Sequence, residues 1–239
     1  SFEVIEPYIR NKKFNLIYNV DVSSTDVSSS SGYQIDTQTA GIGARYKLTD
    51  KITHYIKLDY AIEDYHSITS SASDSIKNKG GQNIEFYLSN RFNFSTLDTF
   101  FRPSEGYLMS FYNKLSVDNF VLNKLSYDKY YNINQNVLSY RTELGNVTSL
   151  SSADVADGYK LSLGGRSLRG FDTKGVGPRN SSSGYIGGNN LLAVQVDYLI
   201  PISESENNLL DFVVFFDAGT VFENDTDPTN SSESVRISS

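Results

Sequence analysis

Apolar and polar residues alternate along most of this chain, and the alternation predicts its elements. From Ile52 the even positions read Ile52, His54, Ile56, Leu58, Tyr60 and Ile62, while the odd ones read Thr53, Tyr55, Lys57, Asp59, Ala61 and Glu63. That is a period of two, the spacing at which strand side chains point to opposite faces. It persists over about a dozen residues, longer than the usual ~5–6 of a globular strand but suited to a tilted strand crossing a bilayer. Ile84, Phe86, Leu88, Phe92 and Phe94 repeat it against Asn83, Glu85, Ser89, Arg91 and Asn93. Phe14, Leu16, Tyr18, Val20 and Val22 do so against Lys13, Asn15, Asn19 and Asp21. Ala40, Ile42, Ala44, Tyr46 and Leu48 turn away from Arg45 and Lys47. Charges kept to one face mean that this face meets water. The other face meets either lipid or a second sheet.

The pattern predicts strands over residues 1–6, 13–22, 34–48, 52–65, 83–94, 106–117, 125–134, 137–147, 189–201 and 209–222, with another starting at 235. The connections between them sort by length. Residues 7–12, 49–51, 96–105, 135–136 and 202–208 make mostly short ones. Residues 23–33, 67–82, 118–124, 148–187 and 223–234 alternate with these and are mostly longer, often rich in serine. Short periplasmic turns and long outer loops are expected of an up-and-down barrel in an outer membrane. A soluble β-sandwich has no reason to sort its loops by end. The expected fold class is therefore all-β, a transmembrane antiparallel up-and-down β-barrel. Its first and last strands are expected to be cut mid-element, so that residues 1–239 form part of a single barrel domain with about eleven strand segments.

Composition narrows the picture. Seventeen tyrosines against one methionine is an odd balance for a soluble core, whereas phenols sit naturally at a membrane–water boundary. The net charge of -7, with no basic stripe, argues against a nucleic-acid partner. Without cysteine there is no disulfide framework and no thiolate metal site. No apolar run nears the ~18 residues of a transmembrane helix, which leaves strands as the only means of crossing.

One stretch breaks the pattern. Residues 163–189 are glycine-rich, without apolar periodicity, and contain Arg166, Leu168, Arg169 and Phe171. Loops of this length without secondary structure are uncommon and usually functional. On the two strands that follow, Leu192, Val194, Val196, Tyr198 and Ile200 share one face with Gln195 and Asp197 on the other, and Leu210, Phe212, Val214 and Phe216 face away from Asp211 and Asp217. Asp197 and Asp217 should thus point into the lumen from consecutive antiparallel strands. A carboxylate there needs a partner or water, and an arginine fork from the loop could bridge both. Spacing alone leaves open the plainer reading, two aspartates facing a wet lumen. The glycines from Gly164 to Gly177 are not a phosphate loop, because no Gly-Lys-Ser/Thr ending and no helix follows.

The run Gly164-Gly165-Arg166-Ser167-Leu168-Arg169-Gly170-Phe171 resembles the Arg-Gly-Phe loop of the BamA family, outer-membrane β-barrel assembly factors of the bacterial surface antigen superfamily. Glu6-Pro7-Tyr8, the turn Asp98, Phe101, Pro103, Gly106, then Gly177-Pro178, Gly187-Gly188-Asn189 and the run from Phe215 to Phe222 are similar to that family in the same order. The resemblance implies that Arg169, with Gly170 and Phe171, pins an outer loop inside the barrel on Asp197 and Asp217. The family often has glutamate at the position of Asp197, so the resemblance leaves open whether the shorter side chain meets Arg169 directly or through a water. It further implies a wall of about sixteen strands, of which this chain would run from the end of strand four to the start of strand fourteen. Its POTRA domains would precede it. The implied activity is the folding and insertion of barrel proteins into the bacterial outer membrane. The implied partners are unfolded outer-membrane clients, outer-membrane lipids and lipopolysaccharide, and accessory lipoproteins reached through the POTRA domains.

Within the superfamily a TamA-type assembly factor and a two-partner secretion transporter share the Arg-Gly-Phe loop, and the upstream POTRA domains would separate them. An outer-membrane barrel enzyme would need a histidine in the lumen or at its rim beside a nucleophile. His54 is expected on the outer face and His66 at a strand end, so no enzyme and no cofactor is expected. A passive porin has no use for an arginine-bearing loop.

Overall fold

The computed structural model describes residues 2–6, 14–117, 119–151, 155–179, 185–205, 208–222 and 236–238. Eleven strands follow in chain order: β1 (Phe2–Glu6), β2 (Phe14–Asp26), β3 (Gln34–Lys47), β4 (Ile52–His66), β5 (Gly81–Ser95), β6 (Gly106–Ser116), β7 (Phe120–Ile133), β8 (Asn136–Ser149), β9 (Asn190–Ser205), β10 (Asn208–Phe222) and β11 (Arg236–Ser238). They form one sheet in which each strand is hydrogen-bonded to its sequence neighbours, antiparallel throughout. This is the all-β, up-and-down wall that the alternation predicts. Two short helices, α1 (Ser28–Ser31) and α2 (Asp74–Asn78), sit in the loops after β2 and β4. Elements of four and five residues are too short to register as a helical period.

One expected loop is absent. Residues 118–124 mostly belong to β7, which starts at Phe120, so only residues 117–119 connect β6 to β7. The polar–apolar alternation fails there because Phe120 is buried and Leu122 packs against the same interior cluster. Likewise residues 23–26 continue β2, and β9 runs on to Ser205. The turn at 7–12, with Pro7 and Tyr8, the loop 223–234 and residue 235 lie outside the described residues. The β7–β8 connection is a two-residue hairpin with Asn134 and Gln135 at φ 50° and 76°, the positive pair that matches strand twist.

The two faces separate as the period requires. Ile42, Ile56, Leu58, Tyr60, Ile84, Phe86, Phe92, Leu192, Phe212 and Val214 are exposed on the outside. At the outer ends of β2 to β5 this face turns polar: Asp36 is registered against Ser24 and Asp64, and Asp64 against Gln82. At the other end lies an aromatic row. Tyr46 meets His54 edge-on at 5.1 Å, and His54 stacks on Phe92 at 4.0 Å. His54 is buried here, on the outer face, with Nδ1 2.7 Å from the Tyr46 hydroxyl. Between His54 and Ile62 the strand advances ~27 Å at ~3.4 Å per residue, which a ~40° tilt reduces to ~21 Å, close to the ~25 Å apolar band of an outer-membrane barrel.

The β5–β6 turn shows why its residues are spaced as they are. Asp98 accepts hydrogen bonds from the Ser104 amide and, at 2.7 Å, its hydroxyl, which hold the carboxyl down to about 2. Gly106 has φ 97°, and a Cβ there would fall 2.3 Å from the Thr96 carbonyl oxygen. Arg102 pairs with Asp211 at the start of β10.

An arginine at Leu58 should cost about 2–4 kcal/mol of folding stability, and one at the inward-facing Thr39 much less. Reversible unfolding of the intact protein in bilayers measures both, and equal costs would contradict the assignment of faces.

Candidate functional site

The inner face is not uniformly wet. Toward the outer ends of the strands, Ala61, Tyr87, Phe120, Val147, Leu191, Ala193 and Val221 are buried and form one cluster with Val155, Leu161, Leu163, Leu168 and Val176 from the β8–β9 loop. The loop therefore packs on the inner face of this part of the wall. Short bridges shape it: Leu161 pairs with Gly188 and Leu163 with Val176. Gly164 has φ 131°, and a Cβ there would fall 2.0 Å from the Asp172 carbonyl oxygen. Deleting a buried leucine such as Leu168, fully enclosed here, would cost about 2–5 kcal/mol. Toward the inner ends the lumen is polar, with Arg141 paired to Asp128, Lys124 to Glu143 at 3.1 Å, and a cavity of about 340 Å³ bordered by Arg45, Lys57, Asp59 and Arg91.

Arg169 crosses from the loop to the wall. Its backbone N–H donates to Asp217 Oδ2 at 2.9 Å, its Nε to the same oxygen at 2.7 Å, and its Nη2 to Asp217 Oδ1 at 2.5 Å. Nη2 also lies 2.7 Å from Asp197 Oδ1, a direct ion contact, the alternative that the sequence left open beside a bridging water. The guanidinium carbon sits 4.0 Å from the centre of the Phe215 ring, within cation–π range. Asp217 is fully buried, whereas Asp197 and Arg169 each keep 31% of their side-chain exposure. Sheet register explains the convergence: Asp217 faces Gln195 and Asp197 faces Phe215 across the β9–β10 pair, so the carboxylates are diagonal neighbours. The hydrogen bonds to Asp217 raise the guanidinium pKa further, and Arg169 is charged at every accessible pH.

The other residues singled out in the sequence divide between shape and contact. Leu168 and Pro178 are wholly buried, and Phe171 packs on the interior cluster. Arg166 is exposed, but its carbonyl accepts from Gln195 Nε2 at 3.0 Å. Gly188 exchanges hydrogen bonds with Leu161, and the Asn189 carbonyl accepts from the Val147 amide at 2.8 Å. Gly165, Gly170, Gly177 and Gly187 take positive φ.

Sequence reasoning missed Phe215 and Gln195 as supports of the arginine, although both lie on the same period-two face as the aspartates. It also missed Tyr159, whose hydroxyl lies 2.7 Å from Glu63 Oε2 and 3.0 Å from Glu85 Oε1. A lone tyrosine before a glycine-rich run gives no signal of the strands it will reach.

Comparison with known proteins identifies the family and the fold. The Omp85 superfamily domain matches residues 1–239. The outer membrane protein assembly factor BamA of Nitratidesulfovibrio vulgaris is 27% identical over 175 residues, which cover 69% of this chain and 22% of that protein. BamA of Neorickettsia risticii is 24% identical over 221 residues, covering 89% of this chain and 27% of that protein. The chain thus spans about a quarter of the length of these curated relatives. The crystal structure of BamA from Haemophilus ducreyi lacking POTRA domains 1–3 shares the fold, with a TM-score of 0.80 at 20% identity over 96% of this chain and 50% of that one.

The Arg169 contacts set an order among variants. Arg169→Ala abandons a buried carboxylate and should cost about 3 kcal/mol in the intact barrel. Arg169→Lys should recover only part, because a point charge cannot fork between two acceptors. Asp197→Ala should cost less than Asp217→Ala, and Arg166→Ala less than about 0.5 kcal/mol. Thermal unfolding checks the ranking, and full recovery by lysine would contradict the fork.

Proposed function

Because the chain belongs to the Omp85 superfamily, we propose that it is the barrel wall of an outer-membrane assembly factor of the BamA kind, which folds and inserts β-barrel clients. The observation that carries this reading is the β8–β9 loop docked inside the lumen, its arginine on a buried carboxylate of β10. A passive pore gains nothing from a loop pinned across its inner face. An assembly factor needs a wall of fixed shape beside which a client strand can pair, and a loop locked across the interior supports that shape. No bond is made or broken in such a process; the protein lowers the barrier to strand insertion.

In this reading the chain supplies the wall from the end of strand four to the start of strand fourteen of about sixteen, with POTRA domains preceding it. Its apolar band meets outer-membrane lipid and lipopolysaccharide. Unfolded outer-membrane proteins are its clients, and accessory lipoproteins bind through the POTRA domains. Arg169, Gly170, Phe171, Asp197 and Asp217 act as the loop lock. A hydrolase reading would draw on His66, which lies 3.2 Å from the Ser67 hydroxyl and 3.3 Å from Asp36. His66 and Asp36 are on the outer face at the strand end, with Ser67 just beyond it, and the His66 and Asp36 side chains are 39% and 52% exposed, a poor setting for excluding water from a substrate.

The test uses the full-length protein in vesicles, with an unfolded barrel protein as client and its protease-resistant folded form as readout. Arg169→Ala should slow client folding by about tenfold or more and Arg166→Ala by much less. Export of the client across the vesicle membrane, in place of its insertion, would favour a secretion transporter. Cysteines placed at Ser71 and Ser104 report topology: only the first should react with an impermeant label from the cell exterior, and reaction at Ser104 alone would invert the assignment.

A further inference from the structure

The β8–β9 loop touches the wall at a second place, far round the sheet from Arg169. Residues 157–159 form a short 3-10 turn that presents Tyr159 to β4 and β5. The Tyr159 hydroxyl lies 2.7 Å from Glu63 Oε2, on β4, and 3.0 Å from Glu85 Oε1, on β5. A phenol has one proton to give, and the shorter contact takes it. Glu85 is satisfied otherwise: it accepts from Lys79 Nζ at 3.2 Å, Ser116 Oγ at 3.0 Å and Asn119 Nδ2 at 2.7 Å. Lys79 Nζ also donates to the Tyr159 oxygen at 3.0 Å. Glu63 takes further bonds from the Tyr87 hydroxyl at 2.5 Å and, more weakly, from the Tyr65 hydroxyl at 3.3 Å. Both carboxylates are buried, at 6% and 4% exposure, so each depends on these donors. The Tyr159 ring packs on Phe120 with centroids 4.6 Å apart.

We infer that Tyr159 is a second, independent anchor of this loop: it holds the ascending limb on Glu63 and Glu85 while Arg169 holds the tip on Asp217 and Asp197. β5 and β9 are separated in the sheet by β6, β7 and β8. The loop therefore ties two distant stretches of wall to each other across the lumen, and freeing either end leaves the other attached. The inference stands on these contacts and not on the assembly reading.

Trypsin applied from outside to the intact, membrane-inserted protein tests it without any assembly assay. Lys160 follows Tyr159 directly and its side chain is only 3% exposed, so cleavage after it reports release of this limb of the loop. Tyr159→Phe keeps the ring and its packing but removes the hydroxyl. It should raise cleavage after Lys160, relative to the unsubstituted protein, by on the order of tenfold, as expected for a hydrogen bond to a charged acceptor. Glu63→Gln should act in the same direction, and the double variant should be no worse than Tyr159→Phe alone. Tyr159→Phe combined with Asp217→Asn should show the two effects multiplied, since the anchors are separate. Unchanged cleavage after Lys160 in both Tyr159→Phe and Glu63→Gln would overturn the inference. So would a release of Lys160 by Arg169→Lys alone that equals the effect of Tyr159→Phe, because the loop would then have a single latch.

Discussion

A carboxylate with no contact with water must have its charge met on the spot, and Asp217 is such a group. It sits wholly buried on β10, with Arg169 supplying three donors, one from the backbone and two from the side chain. Removing either partner leaves an uncompensated charge in place, which is why the pair constrains its surroundings so strongly. Leu168, next in the chain, is buried along with it, and the run from Val155 to Val176 follows into the same interior cluster. Under the loop the wall presents apolar residues on its inner face, interrupted by the carboxylates that Arg169 and Tyr159 meet. The loop's place in the lumen and the change in character along the inner face are one arrangement seen from two sides.

Much of this was legible in the residues because a strand has a fixed period. The alternation from Ile52 to Glu63 located β4 and both its faces, and the placement of Asp197 and Asp217 on the inner face followed from the same arithmetic. What escaped was governed by contacts between segments distant in sequence. The start of β7 was missed because Phe120 and Leu122 face the buried loop, so both faces of that strand are apolar and the period fades. The serines of residues 23–26 suggest a loop, although these residues pair with residues 34–37 above the apolar band. Whether Asp197 meets Arg169 directly is not decided by the sequence; the guanidinium, set over Phe215, comes within 2.7 Å. Side-chain length alone could not settle that, because the backbone of the loop carries the arginine in.

The outer surface follows a different rule from the lumen. Its apolar band ends in polar residues registered across β2 to β5 at one side and in the Tyr46–His54–Phe92 row at the other. His54 illustrates how context outranks residue type: on a wall facing lipid it is enclosed by aromatic rings and bonded to a tyrosine hydroxyl, a girdle residue and not a reactive one. Polar contacts within the lumen fix the shape of the wall, while the band fixes its depth in the bilayer. The proposed assembly role needs both, since a client strand must find a wall of definite curvature at a definite height.

The most direct measurement is a double-mutant cycle between Arg169 and Asp217 in the intact protein, using Arg169→Ala, Asp217→Ala and the pair, with unfolding free energy as the readout. The account predicts a coupling of about 2 kcal/mol or more, so that the double variant is far less damaged than the sum of the singles. Additive effects, with a coupling near zero, would show that the loop is not held by this contact and would contradict the account at its centre.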